Sequence, residues 1–498
     1  MDISVLVLGL VFLPLAAATL SCVLRARVSR ALALVSGAGI VLAALGLCLT
    51  VYRRGPQAYE LGGWGAPLGI ELYADGLSAL MLLMTALVGT GVSVYAVRYF
   101  SGEKGAGSQR AGDSGDVAGS FWALWMFLWA ALNGVFLSSD VFNLYVVLEL
   151  LGLSSVALIT LERGRAVLAA GMRYLLVSLF GSLLYLLGVA LLYGAYGTLS
   201  VKLLGDLVEP GAYSYAALGV IVLGMLLKTA LFPLHFWLPP AHANAPTPVS
   251  VLLSALVVKG TFYLLLRLWL DVFPPEMTPA AGQLLGVLGA AAIVWGSVLA
   301  LLQRRLKLLV AYSTVAQVGY LFLLFALLPV AGADLYAYSG GVYHAFSHAL
   351  AKAAMFMAAG TVMYVLGHDE IAGAHGILRH LPLSVAGFAI AGVTLMGLPP
   401  SGGFTAKWLL LVGAVEAGRW DLAAVVALGG LLAAMYVFPF LNRALIQVGP
   451  QKPLRPAPRS LEVTTLSLAL LSLSLGLVSA PLVELLQVGA PFAAAGGR

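Results

Sequence analysis

Charged side chains are scarce in this sequence. Lysine, arginine, aspartate and glutamate together make up 10% of its 498 residues, against about a quarter in soluble domains. That scarcity excludes an ordinary water-soluble surface. Cysteine is almost missing as well: Cys22 and Cys48 are the only two. They lie in or at the ends of apolar segments, with no metal spacing and no disulfide framework, so packing is their expected role. Segments alternating apolar with polar residues are lacking, which excludes the closed-barrel way of satisfying a backbone in lipid. Long polar runs are lacking too. No stretch between apolar segments can fold into a soluble domain, so a nucleotide, flavin or iron–sulfur site has nowhere to sit and no cofactor is expected. The start, "MDISVLVLGLVFLPLAAATLSCVL", lacks the positive charge that opens a signal peptide and reads as a retained first span.

What the sequence has in quantity is hydrocarbon. Hydrophobic residues make up 61% of it, the mean hydropathy is +0.99, and apolar runs of about 20 residues recur along its whole length. The expected fold is an all-α polytopic membrane protein lying in a lipid bilayer, with about fourteen spans. The net charge of +6 does not point to nucleic acid, because the basic residues fall in short loops. Loops after odd-numbered spans carry Arg25, Arg98, Lys104, Arg110, Arg163, Arg304, Lys307, Lys452 and Arg455, whereas even-numbered loops carry little beyond Arg53, Arg54, Lys202 and Arg419. The positive-inside rule then orients the chain in a cell inner membrane with both termini outside. Two polar, Gly-rich connections, 53–74 and 101–118, read as flexible surface loops.

Two spans are interrupted. In "LLKTALFPLHFWLPPAHANAPTPVS", residues 226–250, a lysine stands just before Pro233, Pro239 and Pro240. In "LMGLPPSGGFTAKWLLLVGA", residues 395–414, Pro399, Pro400, Gly402 and Gly403 precede Lys407. They fall in the seventh span, 213–236, and the twelfth, 382–412. An offset of five helices is odd, so the two cross in opposite directions, as an inverted five-helix repeat requires. Broken segments at matching positions are a pointer to an ion site near midplane. The organisation read from this is an N-terminal three-helix segment over 1–118, a first repeat over 119–272 (spans 4–8), a second over 273–446 (spans 9–13), and a C-terminal helix and tail over 447–498.

Ionisable groups inside spans are the candidate functional residues. A charge at the bilayer centre costs about 2.5–3.5 kcal/mol on insertion scales, so such groups face the bundle interior and pair. Glu149 lies in the fifth span, and its candidate partner is Lys228. Lys259, in "SALVVKGTFYLLL", has no carboxylate near it in sequence and about eleven residues of its span on either side, so a buried ion-path role is weighed against a snorkelling or structural one. In "YHAFSHALAKAAMF", His344, His348 and Lys352 recur every four residues along one drifting helix face. A metal is the rival reading for that histidine spacing, yet the intervening glutamate of a zinc hydrolase and any cysteine cluster are missing. A hydrated proton path and plain helix–helix hydrogen bonding both remain. Path lining by His235 and His242, beside the first break, and by Ser313 and Gln317 is weighed against bonding to carbonyls or neighbouring helices. For Asp75 and Asp140, near span ends, loop anchoring is weighed against a part in transport, with anchoring favoured.

Taken together, these residues resemble the antiporter-like subunits shared by Mrp-type multisubunit Na⁺/H⁺ antiporters, respiratory complex I and membrane-bound hydrogenases. The resemblance runs over roughly 70–450 and rests on "FLSSDVFNLYVVLELLGLSSVALI", "LLKTALFPLHFWLPPAHANAPTPVSVLLSALVVKG" and "GLPPSGGFTAKW". The first two look most like the Mrp D subunit. The resemblance implies fourteen core helices, the inverted repeat and broken seventh and twelfth helices. It also implies a pair between Glu149 and Lys228, a central Lys259, relay groups at His348 and Lys352 with His344 a turn earlier, and Lys407 at the far end. The implied partners are other membrane subunits, protons and Na⁺. A stand-alone carrier of an organic solute, expected to enclose a roomy midplane pocket, and a passive scaffold are the rivals from other classes.

Overall fold

A computed structural model describes residues 3–101, 114–446 and 456–492. The loop residues Lys104, Arg110, Lys452 and Arg455, and most of the 101–118 connection, lie outside the described residues. The chain opens with α1 (Ile3–Val23) and α2 (Ala26–Arg54). The short strands β1 (Gln57–Glu60) and β2 (Glu71–Ala74) follow. Next come α3 (Gly76–Tyr99), α4 (Ser114–Leu137), α5 (Val141–Ile159), α6 (Arg165–Tyr196), α7 (Val201–Leu207) and α8 (Ala212–Thr229). Then follow α9 (Leu238–Asn244), α10 (Thr247–Leu252), a π-turn (Leu253–Val257) and α11 (Val258–Asp271). The second half holds α12 (Pro279–Leu301), α13 (Leu306–Leu327), α14 (Asp334–Leu366), α15 (Pro382–Met396), α16 (Gly402–Glu416) and α17 (Trp420–Leu445). It closes with α18 (Arg459–Ser474) and α19 (Ser479–Gln487).

Twelve spans among the described residues are long and apolar enough to cross a membrane, with α10, the π-turn and α11 counting as one, or thirteen if α18 and α19, bent by 72°, are also taken together. The reading of about fourteen differs because the expected span 382–412 divides into α15 and α16, each 15 residues. Gly397 closes α15 with φ +78, a left-handed turn that a Cβ would strain. Ser401 opens α16 by accepting a 3.2 Å bond from the Phe404 amide. The bend in the last span was not expected. Neither was the order in 53–74, where the flexible reading gives way to an antiparallel hairpin in register from Gln57↔Ala74 to Glu60↔Glu71.

Burial grades the spans. The segment from Thr247 to Trp269 is buried throughout, and Leu306–Leu327 and Asp334–Leu366 nearly so, whereas α1, α2 and α17 show most of their residues outward. Spans that bury all faces form the centre of a bundle, and half-buried ones form its lipid-facing wall. The central three carry most of the intramembrane charge. Asp140 behaves as the anchor expected of it, capping α5 by accepting a 2.6 Å bond from the Asn143 amide.

Candidate functional site

The first break builds its site from α5, α6 and α8. Lys228 lies in the last turn of α8, and Ala230 ends that helix at φ +55, a left-handed conformation uncommon for a residue with a Cβ. The interrupted backbone is partly re-satisfied by Trp237, whose Nε1 donates to the Leu227 carbonyl at 2.8 Å. Lys228 Nζ donates to Ser178 Oγ on α6 at 3.0 Å. Glu149 is within electrostatic range of Lys228, but the direct pair implied by the resemblance is not made: Glu149 Oε1 is buried without a hydrogen-bond partner. Gly152, one turn after Glu149, makes the approach feasible, since a Cβ there would stand 2.7 Å from Ser178 Oγ and 3.7 Å from Lys228 Nζ. A cavity of about 10 Å³, lined by Gly152, Ser178, Lys228, Val257 and Thr261 among others, has room for about one water.

A second group lies on α11, α13, α14 and α16. Lys259 is fully buried, and its Nζ is bonded to the Ser254 carbonyl, which the π-turn just before it presents. Single π-turns inside helices recur at functional sites. Ser254 Oγ is 2.8 Å from Thr314 Oγ1. Thr314 Oγ1 donates to the Val310 carbonyl at 3.0 Å, and that carbonyl also accepts from Lys352 Nζ at 2.9 Å. Lys352 is bonded to Ser313 Oγ as well. Two fully buried lysines are thus linked across three helices through Ser254, which meets Lys259 with its carbonyl and Thr314 with its hydroxyl, and through the Val310 carbonyl that Thr314 and Lys352 share.

The row of buried polar groups continues along α14. His348, one turn before Lys352, is fully buried with neither ring nitrogen partnered. It stacks on His344 at 5.5 Å with the rings 6° from parallel. His344 Nε2 lies 3.1 Å from the Gln317 carbonyl. The Gln317 side chain donates to the Leu395 carbonyl at 3.4 Å, and Lys407 Nζ donates to the same carbonyl at 2.6 Å. Leu395 lies in the last turn of α15, where a carbonyl has no intrahelical donor, so the break itself creates the acceptor that Lys407 uses. Lys407 Nζ also sits 4.2 Å over the Tyr320 ring. Beside it an apolar groove of about 330 Å³, lined by Leu398, Phe404, Trp408 and others, opens outward.

The structure therefore brings Lys259, Lys352, His348, His344, Gln317, Ser313 and Lys407 into one row. Lys259 is within electrostatic range of Lys352, His348 and His344, and Lys407 of His344. Lys228 stands apart. Its cavity touches Val257 and Thr261, which flank Lys259 by two residues on either side and so occupy the opposite face of that segment. His235 lies in the first break with Nδ1 unpartnered, outside the row. His242 is fully buried, stacked on Phe356 at 4.7 Å, and within range of Lys259, Lys352 and Lys307. Buried polar atoms left without protein partners in native interiors take water. The orphans on His344, His348 and Gln317, with that on His242 beside them, make the row a wettable one, and the orphan on Glu149 does the same for the site at Lys228. Among the described residues no group of three or more His, Cys, Asp or Glu side chains is placed to hold a metal ion.

Sequence reasoning missed three contributors. Lys307, read as a loop charge, is buried and donates to the Ala245 carbonyl at 2.6 Å. Ser178 could have been marked only by knowing that α6 packs along α8. Arg267, eight residues beyond Lys259, is buried and forks Asp75 through two 2.7 Å bonds. Its signal was the run of polar residues every four positions along α11. Asp75 thus ties the start of α3 to α11.

A family profile described as "NADH:quinone oxidoreductase/Mrp antiporter, TM" matches residues 138–433, and one described as "NADH-Ubiquinone oxidoreductase (complex I), chain 5 N-terminus" matches 65–108. The N subunit of the NADH-quinone oxidoreductase of Desulforudis audaxviator is 37% identical over 427 residues, covering 83% of this chain and 81% of the relative. The D subunit of the Na⁺/H⁺ antiporter of Alkalihalophilus pseudofirmus is 30% identical over 403 residues, covering 79% and 77%. A chain of the membrane-bound sulfane sulfur reductase, an archaeal respiratory membrane complex, superposes with a TM-score of 0.87 at 28% identity, covering 98% of this chain and 97% of that one.

Proposed function

The chain belongs to the NADH:quinone oxidoreductase/Mrp antiporter membrane family, and on that premise we propose that it is a proton- and cation-translocating subunit of a multisubunit membrane complex, of the same kind as the Mrp Na⁺/H⁺ antiporter's D subunit. The observation that carries this reading is the buried row from Lys259 through Lys352, His348 and His344 to Lys407, in which hydrogen bonds to shared hydroxyls and carbonyls alternate with stacked histidine rings whose unpartnered nitrogens water can bridge. Histidine accepts and donates protons near neutral pH, and a buried lysine whose surroundings change can hold or release one. Lys228 is the loading station, with Glu149 as the acid whose approach or withdrawal sets its proton affinity. At contact and an effective dielectric near 20 such a pair is worth about 4 kcal/mol. Moving one charge across 100 mV costs about 2.3 kcal/mol, so the pair is strong enough to gate transfer. Water in the first break then links Lys228 to Lys259.

The five-helix offset between the two breaks supports an inverted repeat, spans 4–8 against 9–13. Basic loops orient the chain in the cell inner membrane with both termini outside. Energy comes from an ion gradient or from partner subunits. An organic-solute carrier fits less well, because the space at Lys228 is about 10 Å³.

Lys259→Ala tests the path. In vesicles containing the whole complex, cation-dependent proton flux is expected to vanish while assembly persists. Flux equal to the parent's overturns the reading. A second reading, a proton-pumping subunit of an NADH-quinone oxidoreductase or a related respiratory complex, draws on the 37% identity to the oxidoreductase's N subunit against 30% to the antiporter's D subunit. Co-purification separates them: hydrophilic iron–sulfur partners favour the oxidoreductase, and small membrane partners alone favour the antiporter.

A further inference from the structure

α11 carries Lys259, Tyr263, Arg267 and Asp271 at four-residue intervals. Residues so spaced stack along one drifting helix face, making a polar column from the fully buried middle of the span to its half-buried end. The row from Lys259 to Lys407 uses only the first member. The Tyr263 hydroxyl donates to the Phe136 carbonyl at 2.8 Å and lies 3.0 Å from Ser78 Oγ. Arg267 donates to that hydroxyl from Nε at 3.2 Å and Nη2 at 3.1 Å. It forks Asp75 at 2.7 Å twice, bonds Ser78 Oγ at 3.0 Å, and reaches Asp271 Oδ2 at 3.1 Å.

Two carboxylates thus share one guanidinium, leaving one negative charge unbalanced inside the cluster. A clamp between α3 and α11 needs Asp75 and Arg267 alone. It does not account for a second carboxylate one turn on, nor for a hydroxyl bonded to the guanidinium on the Lys259 side. Exposure separates the two acids: the side chains of Asp75 and Arg267 are 3% and 8% exposed, that of Asp271 27%. Solvent meets the cluster at Asp271.

We propose that this column is the solvent-facing arm of the proton path, with Asp271 the group that exchanges protons with water and Arg267 a positioning residue that holds both carboxylates against the Tyr263 and Ser78 hydroxyls. The proposal rests on the translocation reading above. In the step, the Lys259 ammonium gives up one proton and becomes a neutral amine. Water entering between the two carries the proton to Tyr263, one turn further along the helix face. That hydroxyl and Ser78 each accept a proton and pass on their own, and the carboxylate pair takes it as a carboxylic acid. Asp271 then releases it to bulk water. Arg267 stays charged throughout.

The other groups facing the two acids are Tyr73 from β2 and Tyr338 from α14, both within electrostatic range of them. Burial, then the Asp75 charge, pushes the Tyr73 phenol up to about 12, so it stays neutral in the working range. α7 backs onto the Asp271 carbonyl through Gly205, and its Lys202 and Asp206 are exposed.

The test uses the intact complex in sealed vesicles, with pH varied on the side where α11 ends. In Asp271→Asn, flux per assembled complex is expected to fall about tenfold and to lose its dependence on pH at that side. Tyr263→Phe, which removes only the hydroxyl, is expected to fall severalfold. Arg267→Lys is expected to shift the pH profile, because one ammonium cannot fork two acids. Parental rates and pH profiles per assembled complex in both Asp271→Asn and Tyr263→Phe overturn the proposal, whatever happens to assembly. Lys259→Ala run alongside separates the failures. If it too keeps full flux, the translocation path itself is wrong; if it alone abolishes flux, only the arm is.

Discussion

At the first break the lysine comes before the interruption, and at the second it comes after. Lys228, in the last turn of α8, is bonded sideways to a hydroxyl on a neighbouring helix and has a carboxylate within electrostatic range. Lys407, in the second turn of α16, reaches back over its own break to a carbonyl at the end of α15 and lies over an aromatic ring. Its partners are all neutral. The space differs in the same sense, about 10 Å³ at Lys228 against an outward groove of about 330 Å³ at Lys407. One lysine therefore has a built-in electrostatic control, the movement of a single acid. The other has a fixed cradle, so in the proposed path its proton affinity follows whatever reaches it along the row or through the groove.

The sharpest way to break this comparison is to remove the acid. Glu149→Gln keeps the shape of the side chain and deletes the charge. If the acid controls Lys228, flux in the reconstituted complex is expected to fall about a hundredfold, because a contact pair worth about 4 kcal/mol exceeds two powers of ten. Ser178→Ala removes one hydrogen bond to a charged group, worth about 1.5–3 kcal/mol at most, and is expected to cost about tenfold. Equal losses in the two variants would mean that Glu149 serves only as a local acceptor and that the two lysine sites are alike.

Adding a single methyl near each break sharpens it further. In Gly152→Ala the new Cβ meets the Ser178 hydroxyl, which can rotate away, and comes within 3.7 Å of Lys228 Nζ. Assembly is expected to survive and flux to fall severalfold. In Gly403→Ala the new Cβ lands 1.9 Å from the Thr394 carbonyl, a backbone atom that cannot yield. Overpacking of that kind costs about 1–3 kcal/mol or more, so assembled complex is expected to drop while the flux per assembled complex changes less. Blots of membrane content beside flux traces give both quantities. The reverse pattern would mean that the cradle at Lys407 is soft and the site at Lys228 rigid.

The chemistry of single residues was legible in the sequence, and so was its burial. A lysine in the middle of an apolar run has few explanations, so Lys259, Lys228 and Lys407 could be named, and the four-residue rhythm of His344, His348 and Lys352 set them on one face. Helix existence followed from hydropathy, and the division of 382–412 was foreshadowed by its prolines and glycines. Partners were not legible. Ser178 meets Lys228 because α6 packs along α8, Leu395 accepts from Lys407 because a helix ends there, and Arg267 finds Asp75 across 192 residues. None of those contacts leaves a local pattern. The hairpin at 53–74 was missed because four-residue strands between glycines carry too short an alternation to read.

Glu162 gives the smallest expected effect, and it extends the comparison to a link between the halves. It lies in the turn between α5 and α6, and Lys307 at the start of α13 is within electrostatic range. Burial raises the Glu162 carboxyl above the usual carboxylate range, and the Lys307 charge opposes that rise without cancelling it. A carboxyl raised in the folded state binds protons more tightly there than in the unfolded chain. Its contribution to stability is therefore complete below the ordinary glutamate value and is lost as pH rises through the raised one. Glu162→Gln, which cannot ionise, removes that loss. In detergent, the midpoint of thermal unfolding of Glu162→Gln relative to the parent is expected to climb by about 2 °C as pH rises from about 4 to neutral. A difference that instead shrinks as pH rises would mean that Lys307 outweighs burial. The two halves would then be tied by a charge attraction that stabilises the fold.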